Sequence, residues 1–259
     1  MQGSLFVRNP VKFLFVTDLD NTLVGDDAAL AFLNDRLSSY RQDYGTKIVY
    51  STGRSLVSYK HLRSEKHLLD PDALVTAVGT EVYLNPQDET PDSQWSQQLS
   101  PGWNRQLVVE IAGKFADLLA QPDSEQRPFK VSYFLSETVA PEVLPRLEDA
   151  LKAQDLNFKL VYSGGKDLDI LPEKGDKGLA MQFLRQKWQI SPEKTVVCGD
   201  SGNDIALFSV GTERGIIVGN ALPELRQWHE ANGTDYRYLA QKACAAGIWE
   251  GLQYFGFIQ

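Results

Sequence analysis

The chain has 259 residues, 42% of them hydrophobic and 23% charged, with a formal net charge of −8 and a pI near 5.0. That length and composition suit a globular protein with a sizeable core. The acidic balance excludes a general attraction to nucleic acid or to an anionic membrane, both of which require clustered Lys and Arg. Any phosphate this chain handles must therefore be held locally, by a few placed cations and a metal.

Two cysteines, Cys198 and Cys244, are too few for a disulfide framework. Cys198 closes the apolar run 195–198 and reads as a small buried hydrophobe. The three histidines (His61, His67, His229) show no spacing typical of a zinc site. Val11 to Val16 is a short apolar run interrupted by Lys12, with no cleavage site after it and no run of membrane-spanning length elsewhere. A cytoplasmic monomer is the expectation.

In chain order, Val11–Val16 reads as a strand buried on both faces. A helix over 28–38 follows, with Leu30, Leu33 and Leu37 on one face and Asp26 or Asp27 as its cap. Ile48–Tyr50 is the next strand, 55–66 the next helix and 73–78 a third strand. This alternation predicts a right-handed, doubly wound α/β sheet. Residues 85–102, rich in Pro, Gln, Asp and Ser, read as a linker or exposed loop. Leu107, Ile111, Phe115 and Leu118 then mark a helix, 129–135 a strand, and Leu144, Leu147 and Leu151 a second helix. Strands at 158–162 and 168–171 flank Gly164-Gly165, a hairpin signal. Parallel character returns with a helix capped by Asp176, a strand at 195–199, a short helix at 204–209 and a strand at 215–218. The expected organisation is a catalytic α/β core of 1–85 and 173–259, interrupted by a small α+β insert at 86–172.

Four segments carry chemistry. Asp18-Leu-Asp20-Asn-Thr22 follows the first strand, and ligands of open α/β sheets sit at strand carboxyl ends. A spacing of two lets one carboxylate attack while the other handles protons. Taken alone, the segment reads more plainly as a polar turn. Ser51-Thr52-Gly53-Arg54 follows the second strand, where hydroxyl and backbone N–H groups suit an anion; it is also a common strand-to-helix turn. Lys177 begins a helix, a place the helix dipole does not favour for a cation unless an anion is near. Gly199-Asp200-Ser-Gly-Asn203-Asp204 presents oxygens that suit a hard cation, or a helix N-cap. The order of the four segments along one sheet is harder to ascribe to chance than any one of them.

Together these segments resemble the four motifs of the haloacid dehalogenase superfamily of phosphatases, and the insert resembles the cap of its sugar-phosphatase branch. The likeness extends to Val78-Gly79-Thr80-Glu81, Glu125-Gln-Arg-Pro128, Lys130-Val-Ser-Tyr133, Tyr162-Ser-Gly-Gly165, Asp167-Leu-Asp169-Ile-Leu-Pro172 and Cys198-Gly-Asp-Ser-Gly-Asn-Asp204. These are similar to the sucrose-phosphate phosphatase family of cyanobacteria and plants over roughly 12–255. The resemblance implies a Rossmann-like core with an inserted cap and hydrolysis of sucrose 6-phosphate with Mg²⁺ as cofactor. It implies Asp18 as nucleophile, Asp20 as general acid and base, and Thr52, Gly53 and Lys177 as phosphate ligands. The metal set is Asp18, Asp200 and Asp204 with Asp20 through its backbone carbonyl, Asn203 and Asp204 orienting ligands or waters. Arg54, Gly79, Thr80, Glu81, Lys130, Lys166, Asp167, Asp169 and Asn203 are the expected substrate contacts, though the polar ones taken singly read equally well as solvated loop residues. Trp95, Trp103 and Tyr133 suit either sugar stacking or, more commonly, core packing. Association with a sucrose-phosphate synthase is a further partner the family suggests.

Two other readings stay open. One is a capped phosphatase or mutase acting on trehalose phosphate, mannosyl phosphoglycerate or a hexose phosphate. The other is a catalytically idle sugar-phosphate-binding partner of a synthase, against which the Asp18/Asp20 pair argues.

Overall fold

The computed structural model describes residues 13–258; Val11 and Lys12 of the predicted first strand lie outside them. A seven-stranded sheet has the order β11-β10-β9-β1-β2-β3-β4. Its strands are β1 (Leu14–Thr17), β2 (Lys47–Ser51), β3 (Ala73–Thr76), β4 (Glu81–Tyr83), β9 (Thr195–Gly199), β10 (Arg214–Ile217) and β11 (Arg237–Leu239). Only β4 runs antiparallel. A second sheet, antiparallel throughout, has the order β5-β6-β8-β7, built from β5 (Leu119–Ala120), β6 (Val131–Phe134), β7 (Phe158–Ser163) and β8 (Asp167–Pro172).

Side chains alternate across a strand, and the central strand shows the consequence. Phe13 and Phe15 join one apolar cluster, with α1 (Asp27–Tyr44), α2 (Leu56–Glu65) and α9 (Cys244–Tyr254). Leu14 and Val16 join another on the opposite face, with α6 (Lys177–Lys187), α7 (Ile205–Ser209) and α8 (Pro223–Ala231). Both faces of the parallel sheet are thus covered, which explains why its strands are uninterrupted apolar runs. A third cluster joins one face of the antiparallel sheet to α4 (Arg105–Ala112) and α5 (Ala140–Lys152).

Three predicted segments differ in the structure, and α8, β11 and α9 lie beyond the last element the sequence reading placed. The expected loop at 85–102 contains α3 (Ser93–Leu99), capped by Asp92, whose carboxylate accepts from Trp95 N at 2.9 Å. Trp95 is buried against Phe183, with ring centroids 5.3 Å apart, and its Nε1 donates to the Gly79 carbonyl at 3.0 Å. The polar surface of this one short helix hides its two buried residues, Trp95 and Leu99. Second, the helix through Leu107 stops at Ala112; Phe115 and Leu118 still enter the same cluster from the turns that follow. Third, the third predicted strand ends at Thr76, and the chain reverses through Ala77, Val78 and Gly79 (φ +51°, +58° and +95°) into β4. A β-branched residue in the left-handed region is strained. The surrounding backbone hydrogen bonds hold it: Ala77 N donates to Arg54 O at 2.8 Å and Val78 N to Thr52 O at 3.2 Å.

Among the described residues, no helix is long and apolar enough to cross a membrane.

Candidate active site

β1 pairs in parallel with β2 on one side and β9 on the other. From β1 the chain moves outward through β2, β3 and β4, and from β9 it moves outward the other way through β10 and β11, so the carboxyl ends of these two adjacent strands are the switch point where open α/β sheets form a crevice. Asp18 and Asp20 follow β1, Thr52 and Gly53 follow β2, and Asp200 follows β9. The helix α6, capped by the Asp176 side chain on Leu179 N at 2.7 Å, brings Lys177 in from behind.

The Lys177 ammonium is wholly buried and donates to Asp18 Oδ1 and Asp204 Oδ1, both at 2.7 Å. The other Asp204 oxygen accepts from the N–H groups of Asp200 and Ser201, at 3.0 and 3.1 Å. Asp204 therefore shapes the loop that carries Asp200. The Asp200 Oδ1 accepts from the Thr22 hydroxyl at 3.1 Å.

Ligand oxygens of Asp18, Asp200 and Asp204 all lie within 4.8 Å of one another. Three buried carboxylates thus face one ammonium, leaving excess negative charge in a poorly solvated place. Burial first, then the neighbouring carboxylates, raises the pKa of Asp18 and of Asp200, while Lys177 acts in the opposite direction. Asp18 and Asp204 hold Lys177 firmly cationic against its own desolvation. The same excess charge that attracts protons attracts a cation, and an all-oxygen donor set suits a hard divalent one.

Asp20 stands apart from this group. Arg54 clasps its carboxylate with two bonds, Nε and Nη2 each at 2.7 Å, and its remaining nitrogen donates to Ser58 Oγ at 2.9 Å. Arg54, expected to contact substrate, is thus engaged with the proposed acid/base residue. Thr52 is buried; its N–H donates to Val75 O at 2.9 Å, and its hydroxyl accepts from Arg54 N at 3.2 Å.

A cavity of about 550 Å³ opens above these groups, lined by Asp18, Asp20, Gly53, Arg54, Asp200 and Asn203 from the parallel sheet's loops. Its opposite wall is the antiparallel sheet and its neighbours: Gln121, Glu125, Lys130, Lys166, Asp167 and Asp169. Register explains that wall. Ser132 pairs with Asp169, and Tyr133 with Leu168, so polar Ser132 and Asp169 share one face while Tyr133 and Leu168 join the apolar cluster on the other. On the polar face the Lys130 ammonium, 2% exposed, donates to Ser132 Oγ at 2.7 Å and Asp169 Oδ1 at 3.1 Å. Asp167 accepts from Gln121 Nε2 at 3.0 Å, and partial burial raises its pKa. Lys166 is exposed at the hairpin turn.

Three expected substrate contacts lie elsewhere. Gly79 backs onto the start of α6, where a Cβ would come within 2.1 Å of the Asp176 carbonyl carbon. Thr80 is buried and donates to Ala77 O at 2.9 Å. Glu81 is 3% exposed and accepts from Thr76, Tyr83 and, at 2.6 Å, Arg127 Nε. None of the three lines the cavity, and Glu81 anchors Arg127 across the border between the sheets. The three aromatics pack as well: Tyr133 and Trp103 belong to the third cluster and Trp95 to the second. Sequence reasoning named neither Gln121 nor Ser163 as a contact, though both line the cavity; Ser163 lies within the quoted segment 162–165, while Gln121 falls in no motif and only folding brings it there.

The switch-point crevice, the acid–lysine cluster and the second sheet across the cavity define the class, a protein of the haloacid dehalogenase fold. That fold is shared, at 18% identity and a TM-score of 0.66 over 97% of this chain and 95% of the other, by a haloacid dehalogenase-like hydrolase protein from Bacillus subtilis.

The chain belongs to the sucrose-6F-phosphate phosphohydrolase family, whose profile matches residues 11–256. Sucrose-phosphatase from Synechocystis sp. PCC6803, solved in complex with sucrose and phosphate, is 40% identical with a TM-score of 0.90, covering 96% of this chain and all of that one. Sucrose-phosphatase 1 of Nicotiana tabacum is 39% identical over 96% of this chain, which spans 60% of the tobacco protein's length. Mannosylfructose-phosphate phosphatase of Agrobacterium fabrum is 35% identical over 94% of this chain and 96% of its own.

Proposed function

We propose that this chain hydrolyses sucrose 6-phosphate to sucrose and phosphate, with 1–85 and 173–259 as catalytic core and 86–172 as the specificity cap. The observation that carries the reading is the facing of two chemistries across one cavity. On one side is the Asp18–Lys177–Asp200 cluster; on the other is a wall of carboxylates, an amide and two lysines suited to sugar hydroxyls.

Asp18 attacks phosphorus as the bond to the sugar oxygen breaks, giving an aspartyl-phosphate on this side chain. Lys177 opposes protonation of Asp18 and offsets charge on the phosphoryl oxygens, with the Thr52 hydroxyl and Gly53 N–H as further donors. Asp20 gives a proton to the leaving oxygen. It then takes one from the water that attacks phosphorus and releases Asp18. Two hydrogen bonds from Arg54 hold the Asp20 carboxyl group in place, and Asp20 must leave the guanidinium to hand its proton to the leaving oxygen in the first step. The Asp18 and Asp200 carboxylates with the Asp20 backbone carbonyl would hold Mg²⁺, which supplies Lewis-acid stabilisation of the phosphoryl charge.

The match over nearly the whole Agrobacterium protein favours one second reading, mannosylfructose phosphate as substrate. Phosphate release by the purified chain separates the two, comparing sucrose 6-phosphate with mannosylfructose, trehalose, fructose and glucose phosphates, with Asp18→Asn and EDTA as controls. Preference for sucrose 6-phosphate supports the reading, and equal or better turnover of another ester overturns it.

A further inference from the structure

The turn joining β7 to β8 reaches across the cavity to the loop after β9. Gly164 and Gly165 adopt φ of +61° and +65°, as a type I′ turn requires, and Lys166 N donates to Ser163 O at 3.3 Å. The turn seats where the opposing loop has no side chain: a Cβ on Gly202 would lie 2.9 Å from the Tyr162 carbonyl oxygen and 3.1 Å from Glu224 Cγ. Glu224, in the first turn of α8, joins the two segments. Its Oε1 accepts from Gly164 N at 3.0 Å and from Gly202 N at 3.3 Å.

Resting on the proposed function, we propose that Glu224 is the latch that couples seating of the substrate-binding hairpin to the loop carrying Asp200 and Asn203. One carboxylate oxygen ties the hairpin tip, two residues from cavity-lining Lys166, to a glycine two residues from Asp200. Glu224 lines no part of the cavity among the described residues, so it acts as a positioning residue. Closure of the hairpin then brings the sugar-facing wall and the loop bearing Asp200 into register by the same hydrogen-bonded group. A charged acceptor shared by two N–H groups is stronger than a neutral one, while remaining small enough to break in each cycle.

The test uses the full chain and two readouts. The first is amide exchange at Gly164 in the ligand-free protein, followed by NMR. Glu224→Ala should speed exchange about tenfold, and Glu224→Gln, which keeps a carbonyl acceptor, should change it less than about threefold. The second is steady-state hydrolysis of the sugar phosphate that wild type turns over best. Glu224→Ala should raise KM about tenfold with kcat changed less than about threefold, and Gln should restore KM. Gly202→Ala, whose added Cβ crowds the Tyr162 carbonyl oxygen and Glu224 Cγ while the Glu224 carboxylate itself is kept, should reproduce both effects and serves if Glu224→Ala fails to fold. Unchanged Gly164 exchange in both Glu224→Ala and Gly202→Ala overturns the latch, as does an unmoved KM. If wild type hydrolyses no sugar phosphate, the function reading falls, and the exchange result alone decides the latch.

Discussion

Lys177 Nζ sits 2.7 Å from both Asp18 Oδ1 and Asp204 Oδ1, with none of its side chain exposed. One buried cation thus ties Asp18 after β1 to the loop after β9. Removing one member of a buried ion pair leaves an uncompensated charge, at a cost of about 3–5 kcal/mol. Lys177→Met should lower the melting temperature by roughly 6 °C or more at this chain length and reduce kcat by at least about 10²-fold. Calorimetry and phosphate release check both; a stable, active variant would show that the ammonium holds neither the loop nor Asp18.

The Asp20–Arg54 pair contrasts with it, because Asp20 has 44% and Arg54 29% of its side chain exposed. Half-exposed pairs contribute little to stability. Asp20→Asn should melt within about 2 °C of wild type while turnover falls about 10²–10⁴-fold. A large stability loss with modest kinetic change would instead make Asp20 a structural residue.

Asp18 and Asp200 set the pH dependence. Burial pushes their carboxyls from an ordinary 3.8 up to about 7 and about 8 in the metal-free protein. The folded state then holds protons that the unfolded chain releases. Their contribution is present below the unfolded pKa and is lost as pH rises through the folded values. A divalent cation replaces those protons, so its stabilisation should grow with pH. Melting curves with EDTA and with Mg²⁺ should differ by several degrees near pH 8 and hardly at all near pH 5. A metal effect larger in acid would contradict this assignment.

Gly79 is required by close approach. Its φ of +95° strains any L side chain, and an added Cβ would lie 2.1 Å from Asp176 carbonyl carbon and 2.4 Å from Lys177 N. Backbone cannot yield as a flexible side chain does. Gly79→Ala should cost about 3 kcal/mol or more and depress kcat by displacing Lys177. Retained activity and stability in melting and turnover assays would show that the α6 terminus moves freely.

Lys130 and Asp169 test the sugar-facing wall. Lys130→Met leaves Asp169 with the Ser132 hydroxyl at 2.6 Å as its remaining partner. KM for the sugar phosphate should rise about tenfold or more, with kcat falling less. An unchanged KM would remove this pair from substrate recognition.

The parallel core was legible in the chain because strands buried on both faces must be apolar runs, and Leu14–Thr17 and Thr195–Gly199 are. Asp18, Asp20, Lys177 and Asp200 were legible for a related reason. Asp18 and Asp200 follow such runs directly and Asp20 stands two residues after Asp18, where an open sheet forms its crevice, and Lys177 is a cation at a helix start that only an anion would favour. The hairpin at Gly164-Gly165 announced itself through its turn chemistry. Other features left no local trace. Helix α3 presents mostly polar residues, so its docking through Trp95 and Leu99 appears only once the opposing surface exists. Glu81 looks like a border carboxylate in sequence, and only folding buries it against Arg127. The Arg54 clasp on Asp20 and the Glu224 bridge between Gly164 and Gly202 span 34, 60 and 22 residues of chain. Motif and periodicity report what each residue contributes to its own element; which elements meet is decided by the packing of the sheets, and that assembles the cavity.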